Sequence, residues 1–305
     1  MFDILGPGAL GMHCALSLPA QTALRLRHPQ GNGNAWTLRR DDGHQRTLPC
    51  LSLADPSPIQ YLIVTTKAAQ VVPAIAAVLP QLTPNAEVLL LHNGLGPQDA
   101  VAKLLQAPQR LFVGVSTEGV VRTGAQTVSH RSVGLTRVGP WLRAASQPQI
   151  YATMAAGSWA MDWHDNPQTT KCWVWQKLII NAAINPLTAL FNVPNGALLA
   201  PEYQAQWRPL VHEACHLANA VGLNFDNATE CARVLAVIES TALNYSSMWQ
   251  DWAQGRASEV DNILLPLLKI AQQHDLAHPQ LRQLYWQVKA YEQAGRIPTD
   301  SGTLE

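Results

Sequence analysis

Phe2-Asp3-Ile4-Leu5-Gly6-Pro7-Gly8-Ala9-Leu10-Gly11 joins a short apolar run to a G-x-G-x-x-G and then to an apolar helical pattern. A strand, a glycine turn and a helix in that order make a cradle for a pyrophosphate. Gly6 allows the tight turn, Gly8 lets the backbone approach the anion, and Gly11 lets helix and strand pack closely, while the helix N-terminus offers its amides. Ala9 and Leu10 supply the intervening loop amides. An isolated match would read equally as a ligand-free turn, but here a plausible second strand follows. No Gly-Lys-Ser/Thr follows, which excludes a phosphoryl-transferring P-loop.

Working outward, the first half alternates strands and helices. After a helix over Ala9 to Leu18 come strands at Thr22 to Leu26 and Tyr61 to Thr66, a helix over Ala68 to Leu82, and a strand at Glu87 to His92. Gln98 to Leu105 then reads as a helix and Leu111 to Ser116 as a strand. This alternation predicts a mostly parallel sheet flanked by helices. The Gly-, Thr- and Val-rich stretch from Val120 to Val138 suggests an antiparallel extension. Past Asp165 long helical patterns take over, at Lys171 to Asn192, Tyr203 to Val221, Thr229 to Met248 and Ser258 to His274. The expected boundary falls at Asn166-Pro167, giving domains of residues 1–166 and 167–305.

A chain of 305 residues is long enough for two domains. Lys plus Arg and Asp plus Glu each number 21, so the net charge is zero, and neither sign forms a long run. That balance argues against nucleic acid and acidic membranes as partners, since both need excess cationic charge. No apolar run reaches bilayer length and the start lacks a signal-peptide pattern, which gives a cytoplasmic reading. The five cysteines are scattered without a C-x-x-C, as expected of reduced thiols rather than a disulfide scaffold or a cysteine zinc site.

The strand ends carry the next signals, because ligands of open α/β sheets sit beyond the carboxyl ends of the strands. An NAD site usually has a carboxylate at the end of the second strand; here Leu24-Arg25-Leu26-Arg27-His28 has cations instead. Arg27 is expected to pair with a 2′-phosphate, favouring NADP(H), while Arg25 reads as a solvated strand end. Thr65-Thr66-Lys67, with Gln70 one turn on, and His92-Asn93-Gly94 end two further strands. Lys67 could face a cofactor or solvent, and Asn93-Gly94 is also a common turn pair.

The second half carries a polar stripe. Lys177, Asn181 and Asn185 recur every four residues, spanning about 80° of a helix that is otherwise apolar. A helix greasy on its other faces is buried, so something polar must meet that stripe, either a ligand or neighbouring loops. A lysine against an apolar wall has its pKa lowered, which suits proton donation near neutrality. Pro186 removes one helical hydrogen bond and is expected to kink the helix after Asn185. Ser258 and Asp261 fit a capping box that leaves Glu259 only loosely explained. His212-Glu213-Ala214-Cys215-His216 is an H-E-x-x-H, the pattern of zinc hydrolases, with His212 and His216 as ligands and Glu213 as base. That reading leaves the glycine loop and the lysine stripe unexplained.

Taken together, Gly6 to Gly11, Thr65 to Lys67 with Gln70, Leu91 to Gly94, Trp175 to Leu190, Pro194-Asn195-Gly196, Ser246 to Asp251 and Ser258 to Asp261 closely resemble the ketopantoate reductase family. The resemblance implies an α/β N-terminal Rossmann-like domain followed by an all-α C-terminal domain, with NADPH/NADP+ as cofactor and ketopantoate, a 2-ketoacid, as substrate. It implies that Lys177 is the general acid and that Glu259 binds the substrate hydroxyl. Asn93, Asn181, Asn185, Asn195, Asn244 and Ser247 would contact substrate, and Asn93 would also touch the cofactor. Gly6, Gly8, Ala9, Leu10, Gly11, Arg27, Lys67 and Gln70 would carry NADPH. This chemistry needs no metal, and a monomer or homodimer is expected. A reductase of another 2-ketoacid and a silent NADP(H) sensor are the alternatives, the latter disfavoured by Lys177 and Glu259.

Overall fold

Every residue of β1 (Phe2–Leu5) is buried because parallel neighbours flank it on both sides. The computed structural model describes residues 1–295. After β1 come α1 (Ala9–Ser17), β2 (Leu24–Arg27), β3 (Ala35–Arg40), β4 (Gln45–Leu51), β5 (Ile59–Val64), α2 (Ala68–Val78) and β6 (Leu82–Leu90). There follow α3 (Pro97–Leu104), β7 (Arg110–Ser116), β8 (Gly119–Gly124), β9 (Thr127–Ser132), β10 (Thr136–Pro140), α4 (Gln149–Ala155) and β11 (Met161–Trp163). The strands form one sheet in the order β11-β10-β7-β6-β5-β1-β2-β4-β3-β9-β8. From β7 through β4 all neighbours are parallel.

Two departures from the sequence reading concern the sheet edges. The polar segment 35–51 forms the β3–β4 hairpin, which lengthens the sheet beyond β2. The expected antiparallel extension also divides. The β8–β9 hairpin joins β3 at one edge, while β10 pairs antiparallel with β7 near the other.

The helical part begins with α5 (Pro167–Phe191) and continues through α6 (Pro201–Ala220), α7 (Asn227–Ser240), α8 (Ser247–Ala253), α9 (Val260–Ile263), α10 (Leu265–Gln273) and α11 (Pro279–Gln293). Helix α5 runs through Pro186 to Phe191 without interruption. The pattern expected as one helix over Thr229 to Met248 is two, because the chain turns after Ser240 and Ser246 caps α8 by accepting from the Trp249 amide. Ser258 to His274 likewise divides at Leu264. By contacts the chain divides into Met1–His92 with Gly96–Trp173, and Asn93–Leu95 with the segment from Val174 onward. The first turns of α5 therefore belong with the sheet, and the tripeptide after β6 belongs with the helices. Of the expected second domain, residues 296–305 lie outside the described residues. No described helix is long and apolar enough to cross a membrane.

One charged group sits in the centre of the sheet. Asp3 is fully buried and pairs in register with Arg25, so Arg25 and Arg27, two residues apart on β2, share its face. Arg25 binds both Asp3 oxygens, and Arg27 donates through Nε to Asp3 Oδ1 at 2.7 Å. Arg27 is fully buried, and its other nitrogens donate to the Asp55 and Ser57 carbonyls. Both arginines are thus structural, which corrects the reading of Arg27 as a 2′-phosphate ligand and of Arg25 as solvated. Removing one partner of a buried pair leaves an uncompensated charge, at a cost of about 3–5 kcal/mol. Asp3→Ala should lower unfolding stability by about that amount, measured by urea titration followed by circular dichroism.

Candidate functional site

In the sheet unit the glycine loop has three different environments. Gly6 has φ of +86°, and a Cβ there would lie 2.4 Å from Thr66 Cγ2. At Gly11 a Cβ would lie 2.4 Å from Thr65 Oγ1 and 2.7 Å from the Gly6 carbonyl. Gly8, the N-cap of α1, has no neighbour within 4 Å of such a Cβ. The first and third glycines thus fit helix to strand, while the second opens onto space.

No side chain caps α1 and no acid lies in its first turn, so the amides of Ala9 and Leu10 face an acceptor without competition or repulsion. Thr65 Oγ1 donates to the Gly6 carbonyl at 2.7 Å, bracing the turn. The Thr66 hydroxyl is buried with no hydrogen-bond partner among the described residues. Lys67, the N-cap of α2, and Gln70 are exposed one turn apart. This combination of an open glycine, uncapped helix amides, an orphan hydroxyl and an exposed cation fits a phosphate-bearing dinucleotide. Thr65 and Thr66 were flagged only as a strand end in the sequence; their threonine hydroxyls were the available signal.

In the helical unit, α5 carries the polar stripe within an apolar surround in which Trp175, Leu178, Ile179, Ala182, Ala183 and Ile184 are buried. Burial of the Lys177 ammonium pushes its pKa down to about 8, against the opposing attraction of the Glu259 carboxylate. Glu259, the N-cap of α9, accepts from Asn93 Nδ2 at 3.2 Å. Asn93 reaches it because the Leu95 amide donates to the Asn262 carbonyl at 3.1 Å and because position 94 is glycine. A Cβ on Gly94 would lie 2.4 Å from that same carbonyl. Lower on the stripe, buried Asn185 donates from Nδ2 to Ser247 Oγ at 3.4 Å. Asn181 is partly buried between these two groups, and Asn244 and Ser247 are exposed. Thr188 Oγ1 and Ser246 Oγ, 2.8 Å apart, link α5 to the cap of α8. That bridge was not foreseen, since Thr188 reads as one more residue of a buried helix.

Asn195 is buried, donates from Nδ2 to Thr241 Oγ1 at 2.9 Å and from its backbone to the Asn244 carbonyl, and its Oδ1 has no hydrogen-bond partner among the described residues. Two sequence assignments are corrected by their partners. Ser258 donates its hydroxyl to Glu292 at 2.6 Å, and Asp261 accepts from Tyr285 and Lys289. The expected capping box between them is therefore replaced by contacts to α11. Glu213 is buried with both oxygens on the Gln280 and Leu281 amides, the open first turn of α11, while His212 and His216 are exposed. The H-E-x-x-H is a helix cap supplied from a neighbouring helix rather than a hydrolase centre.

With this geometry described, resemblances to known proteins can be placed. Residues 2–143 match the family described as Ketopantoate reductase PanE/ApbA, and residues 170–292 match Ketopantoate reductase PanE/ApbA C terminal. The chain is 33% identical over 295 residues to a 2-dehydropantoate 2-reductase of Vibrio cholerae, covering 95% of this chain and 97% of that protein. It is 33% identical over 299 residues to one of Yersinia pestis, covering 95% and 94%. Among solved structures, a probable 2-dehydropantoate 2-reductase of Bacillus subtilis superposes with a TM-score of 0.79 at 26% identity, covering 95% and 99% of the two chains.

The glycine environments separate folding from binding. Gly11→Ala forces backbone apart and should cost about 1–3 kcal/mol. Gly8→Ala enters open space and should leave the melting temperature nearly unchanged while weakening dinucleotide binding, measured by thermal denaturation and fluorescence titration.

Proposed function

We propose that this chain, which belongs to the ketopantoate reductase family, reduces 2-dehydropantoate to (R)-pantoate with NADPH, a step of pantothenate synthesis. The observation that carries the proposal is Lys177, a partly buried ammonium whose pKa desolvation lowers to about 8, beside a carboxylate held by Asn93. The glycine loop, the amides of Ala9 and Leu10, the Thr66 hydroxyl, Lys67 and Gln70 would hold the nucleotide. When bound, NADPH supplies the hydride.

Negative charge grows on the ketone oxygen as its carbon is reduced. Lys177 stabilises that charge and passes it a proton, so the oxygen stays on its carbon as the hydroxyl of the product and the amine is reprotonated from water. A pKa near 8 suits the task, since the group is mostly protonated at neutral pH yet gives up its proton readily. Glu259 accepts a hydrogen bond from the substrate hydroxyl. Asn181, Asn185 and Ser247 line the same stripe and orient the ketoacid, and Asn244 meets it from the exposed turn before α8. The absence of a carboxylate at the end of β2 supports NADPH over NADH, with exposed Lys67 rather than buried Arg27 as the cation.

Turnover is tested by NADPH absorbance with a panel of 2-ketoacids. Ketopantoate should be preferred over acids lacking the hydroxyl, and equal turnover of pyruvate would defeat the role of Glu259. Lys177→Ala should lower kcat by roughly 10²–10⁴-fold. Because the acid must be protonated, kcat/KM should be level below pH 8 and fall as pH rises through about 8. Glu259 raises the Lys177 pKa, so Glu259→Gln should move that falling limb to lower pH and raise KM for ketopantoate.

A further inference from the structure

Away from the proposed site, the sheet unit holds a second cluster of ionisable side chains. His13 on α1, Glu118 just before β8 and His130 on β9 each offer one ligand atom, and these atoms all lie within 4.8 Å of one another. His130 Nε2 and Glu118 Oε2 are 2.6 Å apart, and the rings of His13 and His130 lie 4.3 Å apart between centroids. His13 is 2% exposed and the Glu118 side chain likewise, while the His130 side chain, at 22%, leaves a way in. None of these residues has a part in the reduction.

The decisive feature is His13. Its Nδ1 is buried with no hydrogen-bond partner among the described residues. Such an atom calls for an explanation, because a buried polar group without a partner is destabilising. The nearest cation does not oppose a bound metal strongly, since Arg40 is paired with Asp42 at 2.7 Å.

We propose that His13, Glu118 and His130 form a binding site for a divalent first-row transition metal of the zinc class. Two imidazoles and a carboxylate are a zinc donor set, with water as fourth ligand. Ligand atoms around tetrahedral zinc stand about 3.3 Å apart, so modest rotation of the two less constrained side chains closes the site. On binding, the metal takes the place between His130 Nε2 and Glu118, and the neutral ring carries its one N–H on Nδ1. The three residues come from the helix that starts at the glycine loop and from the edge hairpin. The metal would therefore clamp α1 to β8 and β9.

The test uses the full chain, free of any tag and stripped with chelator, titrated with Zn²⁺ by calorimetry and with Co²⁺ by visible absorption. One Zn²⁺ per chain and a higher melting temperature in its presence are expected. His130→Ala and Glu118→Gln, each verified as folded by circular dichroism, should each weaken binding by at least roughly tenfold. A His212→Ala/His216→Ala double variant should bind as the parent does, which separates this site from the exposed histidine pair on α6. Absence of binding by the parent, unchanged affinity in both site variants, or loss confined to the double variant would each overturn the site.

Discussion

Where one segment crosses another outside a hydrogen-bonded ladder and a Cβ would point into the crossing, close approach needs a glycine, and the arrangement of both units depends on that constraint. Gly6 against Thr66 and Gly11 against the Gly6 carbonyl set the first turn of α1 beside the end of β1. In the helical unit Gly94 meets the Asn262 carbonyl, and Gly196 packs a would-be Cβ 2.8 Å from the Ala242 carbonyl. The first pair shapes an anion cradle; the second brings Asn93 to Glu259 and ties the turn before α8 to the loop after α5. In each case a steric allowance of about one methyl group decides where a polar side chain ends up.

Burial then divides similar residues into different roles. Arg27 and Lys177 are both cations on apolar elements. Arg27 meets the full charge of Asp3 and two carbonyls, so its donors are spent within the fold. At Lys177 desolvation outweighs the attraction of the Glu259 carboxylate and leaves the proton less firmly held. A group whose charge is completely answered by the protein contributes to structure. One answered incompletely retains the capacity to act on something else, and the same reasoning separates the engaged Glu213 from the unpartnered nitrogen of His13.

Local pattern was a good guide where backbone chemistry was being read. The strand, glycine turn and helix at the N-terminus, the run of parallel strands and the apolar α5 with its stripe all follow from period and from the restricted options of glycine. It was a poor guide where a side chain could choose among distant partners. Arg27, Ser258 and Glu213 each had a plausible nearby role and each was taken by a group far away in sequence, at Asp3, Glu292 and the start of α11. The β3–β4 hairpin escaped for a related reason: edge strands that are half exposed carry little apolar alternation.

By itself, then, the sequence determined the central parallel strands, the long apolar α5, the two-part organisation in outline and the residue types along the stripe, because periodicity and turn chemistry are properties of neighbouring residues. Tertiary structure alone decided which polar groups are spent on one another and which remain available, because desolvation and hydrogen-bond pairing depend on neighbours that only folding supplies. Lys177 stands on both sides of that division: its position on an apolar helix was legible, whereas its lowered pKa required the burial that folding supplies, which outweighs the opposing pull of the Glu259 carboxylate.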